Sequence, residues 1–426
     1  MKKVLIIGGG MSGLAAGIQL QEKGFACVIL EANNEPGGLA GFFDIQEKSY
    51  PLGYHHILYQ DKPLHQMLKK MDLYKKVQWK KGRVLFAIEN RIYNLMNPLD
   101  FLSFPMRWLD KLRFIKLMAY CFLKGRWDNV SENAKTWLDR IAGSRVREII
   151  FDPLMDIKYG LGSEHLSASW IGSRLHYQEF SKPLGFFPGE DWTKVLVKKM
   201  VARFQELGGQ LITGAAVKKV EIQNNSFVGL TYNKNSEEET VLGDALINTA
   251  PPHIFLSFCA YRDPKLEKIS YLDALSLILE TEQKLPRELY MLPCLSPRYS
   301  FGAIFTLSSL NSSIGTKGGT VLNFLTTLTP KYEHLRKNSS AELLEIYQTD
   351  FQKLFGFKLN PLWHHLTLIK NYSPRFLHNY ENPGQRGNVR GVYFAGNYLT
   401  HPEITSTGSA IASGEKVAEY IAEDYS

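Results

Sequence analysis

Apolar and polar residues along the first thirty positions come in blocks. Lys3 to Ile7 is a short run of branched and leucine side chains, apolar toward both faces, which predicts a buried parallel strand. Glycines break the run, and LAAGIQLQEKG then carries a helical pattern that stops at a glycine. Phe25 to Leu30 is a second apolar run, closed by Glu31. Strand, turn, helix and strand in immediate succession are the opening of an α/β fold with a parallel sheet.

Farther on, residues 187 to 222 read as a turn, an amphipathic helix, a glycine stop and a short strand. The stretch NPLDFLSFPMRWLDKLRFIKLMAYCFLKGRW interleaves Phe, Trp, Leu and Met with Arg107, Lys111, Arg113, Lys116, Lys124 and Arg126, opposed by Asp110. A basic amphipathic helix is expected near residues 99 to 127. Such a helix can lie on an anionic membrane surface, or it can pack on its own domain with a solvated basic face. Between roughly 259 and 384, runs such as FGAIFTLSSL and TVLNFLTTL alternate with turns and predict a β-sheet that could roof a cavity. NSEEET, 235 to 240, reads as a solvated hairpin turn.

A chain of 426 residues exceeds the size at which one core stops growing, so about two domains are expected. With 44% hydrophobic and 22% charged residues, disordered and fibrous classes are excluded. Cys27, Cys121, Cys259 and Cys294 lie far apart without a CxxC pair, which suggests neither a zinc site nor a disulfide framework and fits a reducing cytoplasm. Lysines before an apolar start resemble a signal peptide, but glycines interrupt the run and no clean cleavage site follows, so secretion is not expected. No stretch reaches about 18 apolar residues, so no spanning helix is expected. The net charge of +8 favours anionic partners such as phosphates or acidic lipid, and no nucleic-acid module is visible.

The candidate chemistry begins at Gly8, Gly10 and Gly13, which spell G-x-G-x-x-G around Met11 and Ser12. The first glycine allows the sharp turn, the second lets a pyrophosphate approach the backbone, and the third lets helix pack on strand. The helix start offers amides and a positive dipole end to the diphosphate. Glu31, at the end of the second strand, is placed to accept ribose hydroxyls and would repel a ribose phosphate. That disfavours NADP without separating NAD from FAD.

The next stretch, EANNEPGGLAGFF, carries the doublet Gly37-Gly38 and resembles the second phosphate loop of the flavin-containing amine oxidase superfamily, which includes protoporphyrinogen oxidase and the phytoene desaturases. GDALINTAPP, 243 to 252, resembles the strand and loop that re-enter that family's FAD domain, and VYFAGNYL followed by STGSAIASGEKVAEYI resembles its last flavin motif. The resemblance implies a Rossmann-like FAD-binding domain made of residues 1–89, 185–258 and 385–426, with an inserted α+β substrate domain made of 90–184 and 259–384. It implies that Gly396 and Asn397 approach the ribityl and phosphate region. It also implies that a helix starting near Ser409 and Ala410 aims amides at the flavin pyrimidine, and that the Val217 backbone touches the adenine. The family often carries Arg or Lys after the doublet and an acid near the last motif; Leu39 and Asn397 stand there in this chain.

The adjacent pair His55-His56 lies in SYPLGYHHILY. On an extended strand neighbours point to opposite faces, so the pair is not expected to clasp one metal, and no metal site is expected. In the resemblance this segment lines the reactive ring's surroundings, so one histidine could act there as acid, base or anion-binding donor. The alternative is a histidine bonded to a backbone carbonyl. His364-His365 read as structural; His401 and Tyr398 would lie near the cofactor. The run LMDIKYG, 154 to 160, and Arg174 could contact a substrate or serve packing and surface pairing.

The implied chemistry is dehydrogenation of a small molecule, with hydride passing to flavin N5 and oxygen or a quinone as acceptor. SPRFLHNYENPGQRG stands where an amine oxidase would show an aromatic-glycine stretch, which turns the expectation toward an isoprenoid or porphyrinogen-like substrate. The rivals are a non-redox enzyme resembling UDP-galactopyranose mutase, acting on a nucleotide sugar, and a protein that retains flavin without turnover.

Overall fold

The computed structural model describes the whole chain except residues 125–126, 128–130, 178–181, 286–288, 297 and 317–318. The strands that position the site are, in chain order, β1 (Lys3–Ile7), β2 (Ala26–Leu30), β3 (Gln210–Ile212), β4 (Ala245–Asn248), β5 (Tyr271–Thr281), β6 (Leu289–Pro293), β7 (Ala303–Thr306), β8 (Thr320–Thr327), β9 (Pro361–Pro374) and β10 (Val392–Phe394). The helices that matter are α1 (Met11–Glu22), α2 (Pro98–Ser103), α3 (Trp108–Leu123), α4 (Ala168–Tyr177), α5 (Trp192–Glu206) and α6 (Thr407–Tyr425).

A five-stranded parallel sheet runs in the order β3-β2-β1-β4-β10, with Leu5 between Val28 and Leu246. Both faces are covered, which is why its strands are apolar without alternation. On one face Val4, Ile6 and Ile29 pack with Leu14 and Ile18 of α1, Phe204 of α5 and Val417 of α6. On the other, Leu5, Val28 and Leu246 pack with Val220, Leu230 and Tyr232 of a three-stranded antiparallel sheet and with Phe255.

The second sheet runs β9-β5-β8-β7-β6 and ends on the short strand Arg83–Val84. It is antiparallel except for that last pairing. Its two faces divide by alternation. Leu275, Leu277 and Leu279 pack with Phe324 and Tyr347, the latter on the helix Ser340–Phe355. Ala274, Ile278, Tyr290 and Phe305 face the other way and meet Tyr50. A helical layer containing α3 and α4 has its own core of Leu117, Cys121, Trp137, Phe151 and Trp170.

Three details refine the sequence expectations. The basic stretch forms two helices, since Pro105 after Ser103 and Phe104 cannot continue the first; Arg126 lies outside the described residues. Helix α3 turns Leu117 and Cys121 inward, and its outward side mixes exposed Trp108, Leu112, Ile115 and Phe122 with exposed Arg113 and Lys116. The NSEEET turn is made by Asn235 and Ser236, at φ 51° and 69°. The acids that follow belong to the return strand Glu237–Leu242, where Thr240 bonds Thr231 across the pair at 3.0 Å. Among the described residues, no helix is long and apolar enough to cross a membrane.

Candidate functional site

The glycine loop leaves β1 and enters α1 between two constraints. Gly8 takes φ 100°, a conformation that side chains resist, and a Cβ on Gly13 would sit 2.0 Å from the Gly8 carbonyl oxygen. Gly10 is different. A Cβ there would find its nearest neighbours, Gly38 Cα and Gly37 O, at 3.9 and 4.0 Å, ordinary contact distances. Packing therefore demands glycine at 8 and 13, while the bare backbone at Gly10 leaves room for something other than protein. Gly37 donates its amide to the Gly9 carbonyl at 2.9 Å and brings the doublet against this loop. No side chain caps the start of α1, where Met11 and Ser12 are buried.

Glu31 is buried at the end of β2. Its carboxylate accepts from the Gly9 amide at 2.7 Å and from Asn33 backbone and side chain at 2.9 Å each. These three donors fix the carboxyl group beside the glycine loop, where it can accept from a ribose diol. Val217 lies two residues beyond Ala215, whose amide donates to the Glu31 carbonyl at 2.8 Å, so it borders the same corner. Leu39, at 36% exposure, sits on the short turn Gly38–Ala40.

Helix α6 arrives from the far end of the chain and lies on α1. Ser12 Oγ donates to the Ala410 carbonyl at 2.8 Å, and a Cβ on Gly414 would be 2.1 Å from the Ser12 carbonyl. Two helix starts with positive dipole ends thus converge on one region. The structure moves the second start upstream: α6 begins at Thr407, because Ser406 and Ser409 form a capping box. The Ser409 amide donates to Ser406 Oγ at 3.0 Å, and the Ala410 amide to the Ser406 carbonyl at 3.2 Å. The Gly408 amide donates to Asp61 Oδ2 at 3.2 Å. Only the Thr407 amide in this turn lacks a protein acceptor among the described residues.

Asp61 also caps the helix Lys62–Lys70, accepting from Leu64 at 3.3 Å. Burial pushes its carboxyl up, against the hydrogen bonds it accepts from Ser406, Leu64 and Gly408. The sequence showed half of this role: an acid one residue before Lys-Pro is a helix start. Its second contact, to Gly408, had no sequence signal.

Gly396, at φ 140°, donates to Ser413 Oγ at 3.0 Å, and Asn397 Oδ1 accepts from the Tyr271 hydroxyl at 2.9 Å. Burial raises the Tyr271 phenol well above its usual range, so it stays a donor. The side chain at 397 is thereby held by β5 of the second sheet.

The histidine pair lies in an irregular link between Pro51 and Ile57, and its rings diverge. His55 Nδ1 is 3.2 Å from the Gly53 carbonyl and its ring meets Trp192 edge-on, while burial holds its pKa down. His56 Nδ1 is 2.7 Å from the Tyr290 hydroxyl on β6. Next to it, Tyr54 stacks on Phe305 of β7 with ring centres 3.6 Å apart. The Tyr54, Arg174 and Tyr159 side chains act electrostatically on Tyr372 of β9, whose phenol burial raises far above its usual range. Lys158 lies 4.9 Å and Arg174 6.0 Å from the Trp170 ring. Tyr54, whose ring lies 5.8 Å from that of His56, thus shares Tyr372 with Tyr159 and Arg174.

His401 and Tyr398 part company. Tyr398 is buried in the core beside the parallel sheet. His401 Nε2 lies 2.8 Å from Ser167 Oγ and 3.1 Å from Ser169 Oγ, and burial lowers its pKa to about 4. This neutral ring ties the loop before α6 to the start of α4. It borders a cavity of about 340 Å³ that Asp61, Glu403 and Lys416 also line. His364 is 2.6 Å from Ser340 Oγ, and His365 stacks on Phe43 at 3.9 Å, so these two alternate across β9 in packing roles. Among the described residues, no group of three or more His, Cys, Asp or Glu side chains is placed to hold a metal.

Comparison with known proteins agrees with this geometry. The family model for flavin containing amine oxidoreductase matches residues 11–422. The chain is similar to the 15-cis-phytoene desaturase of Arabidopsis thaliana, at 22% identity over 99% of this chain and 80% of that protein. In fold it is similar to a candidate protoporphyrinogen oxidase from Exiguobacterium sp. 255-15, with a TM-score of 0.80, 15% identity and 99% of each chain covered. It is similar as well to reduced UDP-galactopyranose mutase, with a TM-score of 0.73, 15% identity, and 100% and 96% of the two chains covered. The room left at Gly10, the anchored Glu31 and the convergent helix starts fit the diphosphate, ribose and ring of FAD. This protein is an FAD-dependent oxidoreductase, and the chain belongs to the flavin containing amine oxidoreductase family.

Proposed function

We propose that the enzyme dehydrogenates a lipophilic or anionic substrate, isoprenoid or porphyrinogen-like. In this reading residues 1–89, 185–258 and 385–426 hold the cofactor, and residues 90–184 and 259–384 receive the substrate. Gly8, Gly10, Met11, Ser12 and Gly13 would hold the diphosphate with Gly37, Gly38 and Leu39, Glu31 the ribose, and Val217 the adenine. Gly396 and Asn397 would meet the ribityl chain, and the α6 start the pyrimidine, through Thr407 ahead of Ser409 and Ala410. When bound, FAD supplies hydride acceptance at N5 and passes the electrons to oxygen or a quinone.

The observation that carries the reading is the ring-built face of the second sheet. Tyr54, His56 and Tyr372, each part-buried, lie over the buried rings Phe305 and Tyr290 and would give an apolar wall that excludes water and orients a flat or extended hydrocarbon, with Arg174 beside Tyr372 at one side. Of the two histidines, His56 is the one seated on that wall, an imidazole that can hold or pass a proton there. His55 is turned to Trp192 and serves the link's geometry. The four buried, unpaired cysteines suit a reducing cytoplasm. Contact with a membrane's cytoplasmic face would supply both a dissolved substrate and a quinone.

One observation favours a second reading. Lys158 and Arg174 lie 4.9 and 6.0 Å from one ring, Trp170, so two cations are close enough together to meet one diphosphate, which suits a nucleotide-sugar mutase. Anaerobic mixing separates the two. Bleaching of the flavin band by a polyene or a porphyrinogen, with recovery on adding air or a quinone, is the expected result. No bleaching by either, with dithionite-reduced protein isomerising UDP-galactopyranose, replaces dehydrogenation with the mutase.

A further inference from the structure

The fold sets the Asp61 carboxyl group against two helix starts at once. Its Oδ1 accepts from the Leu64 amide at 3.3 Å and so caps the helix Lys62–Lys70. Its Oδ2 accepts from the Gly408 amide at 3.2 Å in the first turn of α6, 347 positions along the chain. N–H donors on both oxygens favour the ionised form. A Cβ on Gly408 would lie 1.6 Å from Asp61 Oδ1, so the glycine at 408 and the acid at 61 are matched. Capping alone does not call for a charge, since serine would serve the shorter helix as well.

Magnitudes decide what that charge does. Each helix start carries roughly half a positive charge. Two starts together roughly balance one carboxylate, so this corner is close to neutral with Asp61 and strongly positive without it. Asp61 is 6% exposed, whereas Glu403 and Lys416, which line the same cavity, are exposed and opposite in sign. Solvent and salt screen those two, while the buried charge keeps its field. Beside Gly408, the Thr407 amide is the donor of this turn left without a protein acceptor among the described residues. In the proposed reading it meets the flavin pyrimidine, where negative charge develops on reduction. A donor there favours the reduced cofactor, and a carboxylate one residue away opposes it.

We propose that Asp61 is a positioning residue that ties the α6 start to the helix Lys62–Lys70 and, through its charge, holds the reduction potential of the bound flavin down. The consequence is directional: a flavin of low potential passes electrons readily to an acceptor and draws them less strongly from substrate. This role rests on the proposed placement of the pyrimidine at the α6 start.

Equilibrium reduction of the FAD-loaded protein against a reference dye of known potential tests it without any substrate. Asp61→Asn keeps the shape and removes the charge, so it should raise the equilibrium constant for two-electron reduction about tenfold, or about 30 mV in potential. Asp61→Ser retains a capping oxygen and should shift the potential the same way, which covers a failure of the asparagine variant to fold. Thr407→Pro is the counterpart. Proline is accepted at the first helical position, and Ser406 before it is already extended at φ −129° and ψ 170°. That change removes only the free donor and should lower the same constant about tenfold. An unchanged or lowered potential in Asp61→Asn and Asp61→Ser overturns the proposal, as does failure of both variants to hold FAD, which would make Asp61 a binding residue. Thr407→Pro then separates the causes. A lowered potential there keeps the pyrimidine at α6 and removes only the role of Asp61, whereas an unchanged one removes the placement as well.

Discussion

The proposed cofactor corner between the parallel sheet and α6 and the proposed substrate face of the antiparallel sheet would solve two recognition problems with different materials. At the first, the recognising groups are main-chain amides, bare glycines and one anchored carboxylate. At the second they would be side chains of Tyr54, His56, Tyr372 and Arg174, brought from distant parts of the chain. A backbone site needs a particular local conformation, and local conformation is written in adjacent residues. A side-chain site needs only that rings meet in space, and many sequences can arrange that.

The sharpest way to break the comparison is to add one methyl group at two neighbouring glycines. Gly13→Ala pushes a Cβ to 2.0 Å from the Gly8 carbonyl, so it should cost more than about 3 kcal/mol and leave little folded protein in a thermal melt. Gly10→Ala meets nothing closer than 3.9 Å, so the apoprotein should melt within about 1 kcal/mol of wild type while FAD affinity falls about 100-fold or more. If Gly10→Ala retains FAD at wild-type affinity, the bare backbone there is not a cofactor floor. The paired experiment at the other site compares His56→Phe with His55→Phe. The first should slow flavin reduction about 100-fold and change its pH profile, and the second should alter the rate by only a few-fold. Equal losses would show that orientation toward Tyr290 does not distinguish the two imidazoles.

The smallest effect concerns the seam between the regions, where His401 meets Ser167 and Ser169. Its folded pKa of about 4 lies below the unperturbed 6.5, so the native state binds fewer protons than the unfolded chain. The resulting stability is fully present above 6.5 and is lost as pH falls toward 4, on the order of 1–2 kcal/mol after allowance for partial exposure. His401→Gln should flatten the decline of melting temperature across that window. An unchanged slope would assign acid sensitivity to other groups.

Legibility followed the same division. The strand Lys3–Ile7, the α1 pattern, the second strand and Glu31 are found where the apolar blocks and glycines placed them. The start of α6 was read two residues late, because the capping serine, Ser406, lies in a run of small polar residues where several could serve. The Asp61 bond to Gly408 spans 347 positions and the Tyr271 bond to Asn397 spans 126, and neither bond is signalled by the residues around its ends. The two arrangements open for α3 could not be separated for a related reason: with apolar residues on both sides of the helix, periodicity could not say which side would pack.

By itself the sequence determined the dinucleotide corner, since turn geometry, close helix approach and a buried parallel strand each depend on neighbouring residues. Only the tertiary structure decided which histidine joins the aromatic wall, that Lys158 and Arg174 share Trp170, and which stripe of α3 is left to solvent. Those outcomes depend on how separate elements cross and pack, and packing energy is summed over contacts between residues that are distant along the chain.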